Sequence, residues 1–324
     1  MFVCYCFNCS YIIKEAVNMI KTKNVTDDSF LQSIKDTVYN KLNNRAGIKK
    51  IAPQLNISDN VLRNKINPNY DAHLHISELY KIIEITNDPK PLNKLSLEFD
   101  HACAQNNIYK NISDDEIIRS RSNWEIERAQ TCEMIEQVRA NGQVTKNEII
   151  KLKEEIYDDF SKQLALLYKL KACVSGCDIS QKIVTLDDVL NEVCDTIKNF
   201  GVSEKDIGIR QKGYLKNICD LGSSDELNAI HLREIVRFTK NHKIIDLFCQ
   251  SLNYTCVNLL KYSGQPKTAL FKTVRFKWDA ERGETDQAIS RALEDESLTV
   301  NEYNLIEKEI YNDFKIEIAV LEML

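Results

Sequence analysis

The side chains best suited to a recognition chemistry are gathered between Gly47 and Pro68, in the stretch GIKKIAPQLNISDNVLRNKINP. Arg63 carries a planar guanidinium that can take both acceptors of a guanine edge at once, and Asn60 or Asn64 can match the donor and acceptor of adenine. Lys49, Lys50 and Lys65 are cations of the kind that hold phosphates, and the amides of a first helical turn near Ser58 can hold another. Each taken alone is explained as well by a solvated helix face. Their spacing gives them a collective meaning, because it sets them on two short helices.

The first helix is expected over about Ile48–Leu55, with Ile48, Ile51 and Leu55 on one face. Asn56 is a turn residue that tolerates left-handed backbone. Ser58 sits where an N-cap belongs, its hydroxyl able to accept an orphan amide hydrogen. The second helix then runs on to Asn67, with Ile57, Val61, Leu62 and Ile66 as its apolar side and Pro68 as its stop. This is the layout of a helix-turn-helix, whose second helix can enter a major groove.

The rest of the chain supplies the frame. Its 324 residues leave room for two or more domains, and 43% hydrophobic content is enough to bury real cores. Only 9 Gly and 5 Pro, with almost no strand-like alternation, point to an all-α chain. The net charge of −5 excludes a uniformly basic nucleic-acid coat, so a local basic face must do any DNA binding. No apolar run approaches the roughly 20 residues of a membrane span, and the expected location is the cytoplasm. Eleven cysteines, an odd number scattered through periodic stretches, read as free reduced thiols. Cys4, Cys6 and Cys9 lack a fourth ligand at zinc-finger spacing, and His73 and His75 lack a carboxylate or thiolate partner, so no metal site is expected.

In chain order, residues 1–18 form an extension, with Met19 a possible true start. A support helix is expected over Thr26–Asn44, carrying Phe30, Ile34, Val38 and Leu42 on one face. After the central pair, Ser77 is expected to cap a helix that buries Leu79, Ile82 and Ile83, and a further helix over Leu92–Ala104 closes a domain spanning 19–105. Two long helices follow in 106–172, near Ser113–Ala140 and Thr145–Lys171, broken at Asn141-Gly142. The second of them carries Ile149, Leu152, Ile156, Phe160, Leu164 and Leu167 on one stripe, a hairpin that must bury itself against a partner.

The second half repeats the first. At an offset of 153, Leu62 matches Leu215, Asn64 Asn217, Leu74 Leu227, Ile82 Ile235 and Cys103 Cys256. At an offset of 154, Trp124-x-x-Glu127-Arg128 returns as Trp278-x-x-Glu281-Arg282, and Glu155–Phe160 returns as Glu309–Phe314. The second copy divides into a helix-turn-helix-like part at 173–263 and a hairpin at 264–324. Residues 19–75 hold nine Lys/Arg against five acids, whereas 172–228 hold six against ten. A phosphate backbone attracts the first window and repels the second. The second copy is therefore expected to keep the fold and lose the DNA contacts, although Arg210, Lys212 and Lys216 leave it a small basic face.

The run from Gly47 through Ala104 resembles the CII-type regulatory proteins of temperate phages. The resemblance is carried by GIKKIAPQLNIS, LRNKINP, the His73–Leu79 stretch and Thr86-Asn87-Asp88. It implies a helix-turn-helix regulator of lysogeny, with duplex DNA as partner and self-association through the hairpins; this chain departs from the family by duplication. No catalytic constellation is present: Gly208 and Gly213 have phosphate-loop spacing, but Tyr214 and Leu215 follow them. Neither an enzyme nor a cofactor is expected. Two readings remain, a DNA-binding transcription regulator and a non-enzymatic helical scaffold derived from one.

Overall fold

The computed structural model describes residues 29–40, 45–67, 69–70, 73–106, 112–140, 144–174, 183–220, 226–259, 271–294 and 298–323. Residues 1–18, Leu42, Pro68, Asn141-Gly142 and Cys177, on which some expectations rest, lie outside them. Among the described residues there are thirteen helices and a single two-stranded ribbon, so the chain is all-α apart from that ribbon. No described helix is long and apolar enough to cross a membrane. The chain divides into two compact units, residues 1–94 with 226–232, and residues 95–225 with 233–324. These units are not the two sequence copies.

The first unit is built on α1 (Ser29–Asn40), α2 (Arg45–Gln54), α3 (Asp59–Lys65) and α4 (Ile76–Thr86). Its core is the set the helical spacing selects: Phe30, Ile34 and Val38 from α1, Ile48 and Ile51 from α2, Leu62 from α3, and Leu79, Ile82 and Ile83 from α4. The start of α4 differs from expectation. His75 stands at the N-cap and its amide donates to Glu78 at 2.8 Å, while the Ser77 hydroxyl, two residues past the cap, donates instead to Glu226 at 2.8 Å. Asn87 ends the helix in the left-handed region at φ 46°. Beside α4 runs the segment 226–232. Ile76 N donates to Leu227 O and Ala229 N donates to Leu74 O, at 2.8 and 2.9 Å, around a single antiparallel bridge of His75 with Asn228. Residues 74–76 and 227–229 are the same three positions of the repeat, so the bridge joins counterparts.

Helix α5 (Lys90–Leu97) leads into the second unit. The expected helix does not continue to Ala104. Asp100 turns into the left-handed region at φ 59°, and His101–Gln105 forms strand β1. Its partner is β2 (Tyr254–Asn258), antiparallel, in the register His101–Asn258, Cys103–Cys256, Gln105–Tyr254. The centre of this ribbon is again a pair of counterparts, and the flanking bonds are symmetric with it: Asn106 N to Asn253 O at 2.7 Å and Leu259 N to Asp100 O at 2.9 Å. Cys103 and Cys256 are joined by a disulfide, which corrects the reading of both as free thiols. Neighbouring strand positions bring the two sulfurs together, a proximity that linear spacing does not reveal.

Four long helices make the rest of the core: α6 (Asp114–Ala140) with α7 (Lys146–Cys173), and α12 (Phe271–Glu294) with α13 (Val300–Met323). Thr145 and Thr299 start α7 and α13, each returning a bond to the acid three residues on. Stripes of α7 and α13 face each other, with the rings of Phe160 and Phe314 4.2 Å apart. Trp124 and Trp278 are fully buried, and the Arg128 guanidinium lies 4.7 Å over the Trp124 ring. The expected stripe holds except at Ile149, which is exposed near the first turn of α7. The unit also holds α8 (Leu186–Phe200), α9 (Tyr214–Ile218), α11 (Lys243–Ser251) and most of α10 (Ala229–Thr239).

Candidate nucleic-acid interface

Helices α2 and α3 meet at a corner made by local chemistry. Leu55 is buried, Asn56 takes φ 57°, and the amides of Asn56 and Ile57 donate back to Pro53 O and Ala52 O, both at 3.1 Å. Ser58, in extended backbone, then accepts the Val61 amide at 3.3 Å and starts α3. Leu62 and Ile66 pin one side of α3 into the core.

The remaining residues follow from a turn of about 100° per residue. Asn60 and Asn64 lie opposite the core and are exposed, and Arg63 is half-buried on the flank, with no ion pair among the described residues. Lys49 and Lys50 are exposed on α2. Two residues depart from expectation. Val61, assigned to the apolar side, is 40% exposed and shares the outer face with the asparagines. It lies about 120° from the direction shared by Leu62 and Ile66, a displacement that the 3.6-residue period already contains. Lys65, assigned to a phosphate, instead reaches both carboxylate oxygens of Glu78 at 2.7 Å. The same carboxylate accepts the His75 amide, so Lys65 ties α3 to the start of α4.

The second copy has lost this corner. Gly201 ends α8 at φ 61°, and residues 204–208 are turns where the first copy has α2. Gly213, the counterpart of Asn60, takes φ 82° at the start of a five-residue helix. A Glu204 oxygen accepts from the amides of Gly213 and Leu215 at 3.0 and 3.4 Å, so the chain's own carboxylate occupies the start of α9. Arg210, Lys212 and Lys216 are exposed there. The counterparts of Lys65 and Glu78 are Ile218 and His231, so the ion pair is absent from both of its positions.

Two tandem copies with counterparts paired at a ribbon, and a two-helix corner kept in the first copy alone, are the features to set beside known proteins. No curated protein and no solved structure matches it. The family model for phage regulatory protein CII (CP76) matches residues 32–173 and matches again at 188–316, together well over half of the chain. The chain therefore belongs to the phage regulatory protein CII (CP76) family, which it carries in two tandem copies.

Proposed function

We propose that this phage regulatory protein is a DNA-binding transcription regulator, cytoplasmic, that reads duplex DNA with the Ser58–Asn67 segment of the first copy. The observation that carries the reading is the division of α3 into a buried side, Leu62 and Ile66, and an outer side bearing Asn60, Val61 and Asn64 with Arg63 at its edge. In this reading Arg63 takes guanine, Asn60 or Asn64 takes adenine, and the Val61 methyls suit the thymine methyl. Lys49 and Lys50 hold phosphates, and Ser58 holds the helix that presents the others. The second copy serves as architecture. Facing hairpins join the copies within one chain, and further self-association through them brings two intact corners to one operator.

Selection of duplexes from a random pool, followed by gel shift with Arg63→Ala, tests this. The expected result is a bound sequence class and a loss of about tenfold to a hundredfold in affinity on substitution, with unchanged helicity. Absence of any duplex preference, or an Arg63→Ala variant that binds as well as the native chain, leaves the scaffold reading in its place. Light scattering of the free chain tests self-association; a monomer at micromolar concentration rejects it.

A further inference from the structure

The disulfide of the second unit does not stand alone. Cys249 Sγ, fully buried, lies 3.6 Å from Cys103 Sγ. Ser96 Oγ, also buried, lies 3.6 Å from Cys249 Sγ and 3.9 Å from Cys256 Sγ. These four groups are two pairs of counterparts at the offset of 153: Ser96 with Cys249, and Cys103 with Cys256. All three sulfurs fall within 4.8 Å of one another.

In a tetrahedral thiolate site, metal–sulfur bonds of about 2.3 Å and metal–oxygen bonds of about 2.0 Å give edges of about 3.8 Å between sulfurs and about 3.5 Å between sulfur and oxygen. The three separations above lie close to those lengths, within about 0.4 Å. The Cys103–Cys256 edge is shorter, because a covalent bond closes it. We propose that, once this bond is reduced, Cys103, Cys249 and Cys256 bind a thiophilic divalent cation of the zinc type, with the Ser96 hydroxyl completing the tetrahedron. Disulfide and metal are then alternative closures of the same joint between the two copies.

The steps balance. A dithiol reductant gives two electrons and two protons to the Cys103–Cys256 bond and leaves as its own disulfide. The cation then displaces one proton from each of three thiols. Thiolates select a soft or borderline ion over magnesium or calcium.

The test uses the full chain held in a phosphine reductant, with free thiols counted by alkylation and mass spectrometry, and titrated with Co²⁺. Expected are sulfur-to-cobalt charge transfer and the intense visible bands of a four-coordinate site at about one ion per chain, bleached by Zn²⁺. Cys249→Ala should abolish the bands, Ser96→Cys should intensify them and tighten binding at least about tenfold, and Cys194→Ala should leave them unchanged. The oxidised chain should show none. A reduced, helical native chain without such bands overturns the proposal, as does a Ser96→Cys variant that binds cobalt no better than the native chain.

Discussion

Arg63 and Lys65 stand two positions apart on α3 and meet different surroundings because they flank its core stripe on opposite sides. On one side Arg63 has no acid among the described residues; on the other, Lys65 meets Glu78. Lys65→Ala should therefore lower stability by about 1–3 kcal/mol, since it leaves a largely buried carboxylate without its cation, while the salt dependence of DNA affinity stays as it was. Lys50→Ala should do the reverse: little change in thermal unfolding, and a salt slope shallower by about one. Urea unfolding and a gel-shift salt series on both variants check this. The cap at Ser58 and the left-handed Asn56 were legible from residue type, because both effects are local. The Lys65–Glu78 pair was not, because it exists only once α3 and α4 pack, and nothing in a spacing of 13 residues announces it.

The four-helix core shows the same division at the scale of elements. Its stripes, its caps and both buried tryptophans follow from period and counterpart matching. The polar cluster inside it does not, because which faces meet is settled by packing. Arg128 donates to Asp313 at 3.2 Å within this core, yet burial outweighs the guanidinium and raises the Asp313 carboxyl to about 7. Burial likewise raises Asp159 to about 6 and pushes Glu317 up, the neighbouring Asp159 charge adding to the rise of Glu317. All three bind protons more tightly in the folded bundle than in the unfolded chain. The stability their neutral forms confer is complete below about pH 4 and is lost as pH rises through about 6 to 7. Glu302 has the opposite sign: bonds from the Thr299 hydroxyl and amide lower its pKa, and its contribution is lost on acidification. Stability should thus be greatest near pH 5 and smaller at pH 8. Glu317→Gln should recover about 1–3 kcal/mol at pH 8 and flatten the profile, as read by denaturant melts at the two values. The ribbon escaped the sequence for a different reason. HACAQ and YTCVN are five-residue segments 153 positions apart, and neither alternates. Cys103 and Cys256 could be matched as counterparts from the sequence, but a match along the chain does not say that the matched residues touch.

At the scale of the whole molecule, the duplication and the all-α class were readable because they rest on register and breaker content. The division into compact units was not, since residues 226–232 belong with the first unit although they lie in the second copy. Counterparts are paired at the Cys103–Cys256 ribbon and where α7 meets α13, so the link between the copies is not needed to hold them together. A chain cut at a protease site placed between Val174 and Ile183 should stay associated, even in reductant, and elute as one species; separation of the halves at micromolar concentration would show that the facing hairpins are too weak. The same core carries one more implication. Gln163 and Glu317 hold the same place in the repeat, and both contact Asp159. Two identical subunits meeting across an axis must contribute the same residue twice, so their shared interior can contain zero or two acids at that place. Here that place holds Glu317 in one half and Gln163 in the other, both fully buried, so a single acid stands where a symmetric pair would have none or two. Fusion has thus freed each half to mutate on its own, and a proton count that no symmetric pair can encode has been written into the seam.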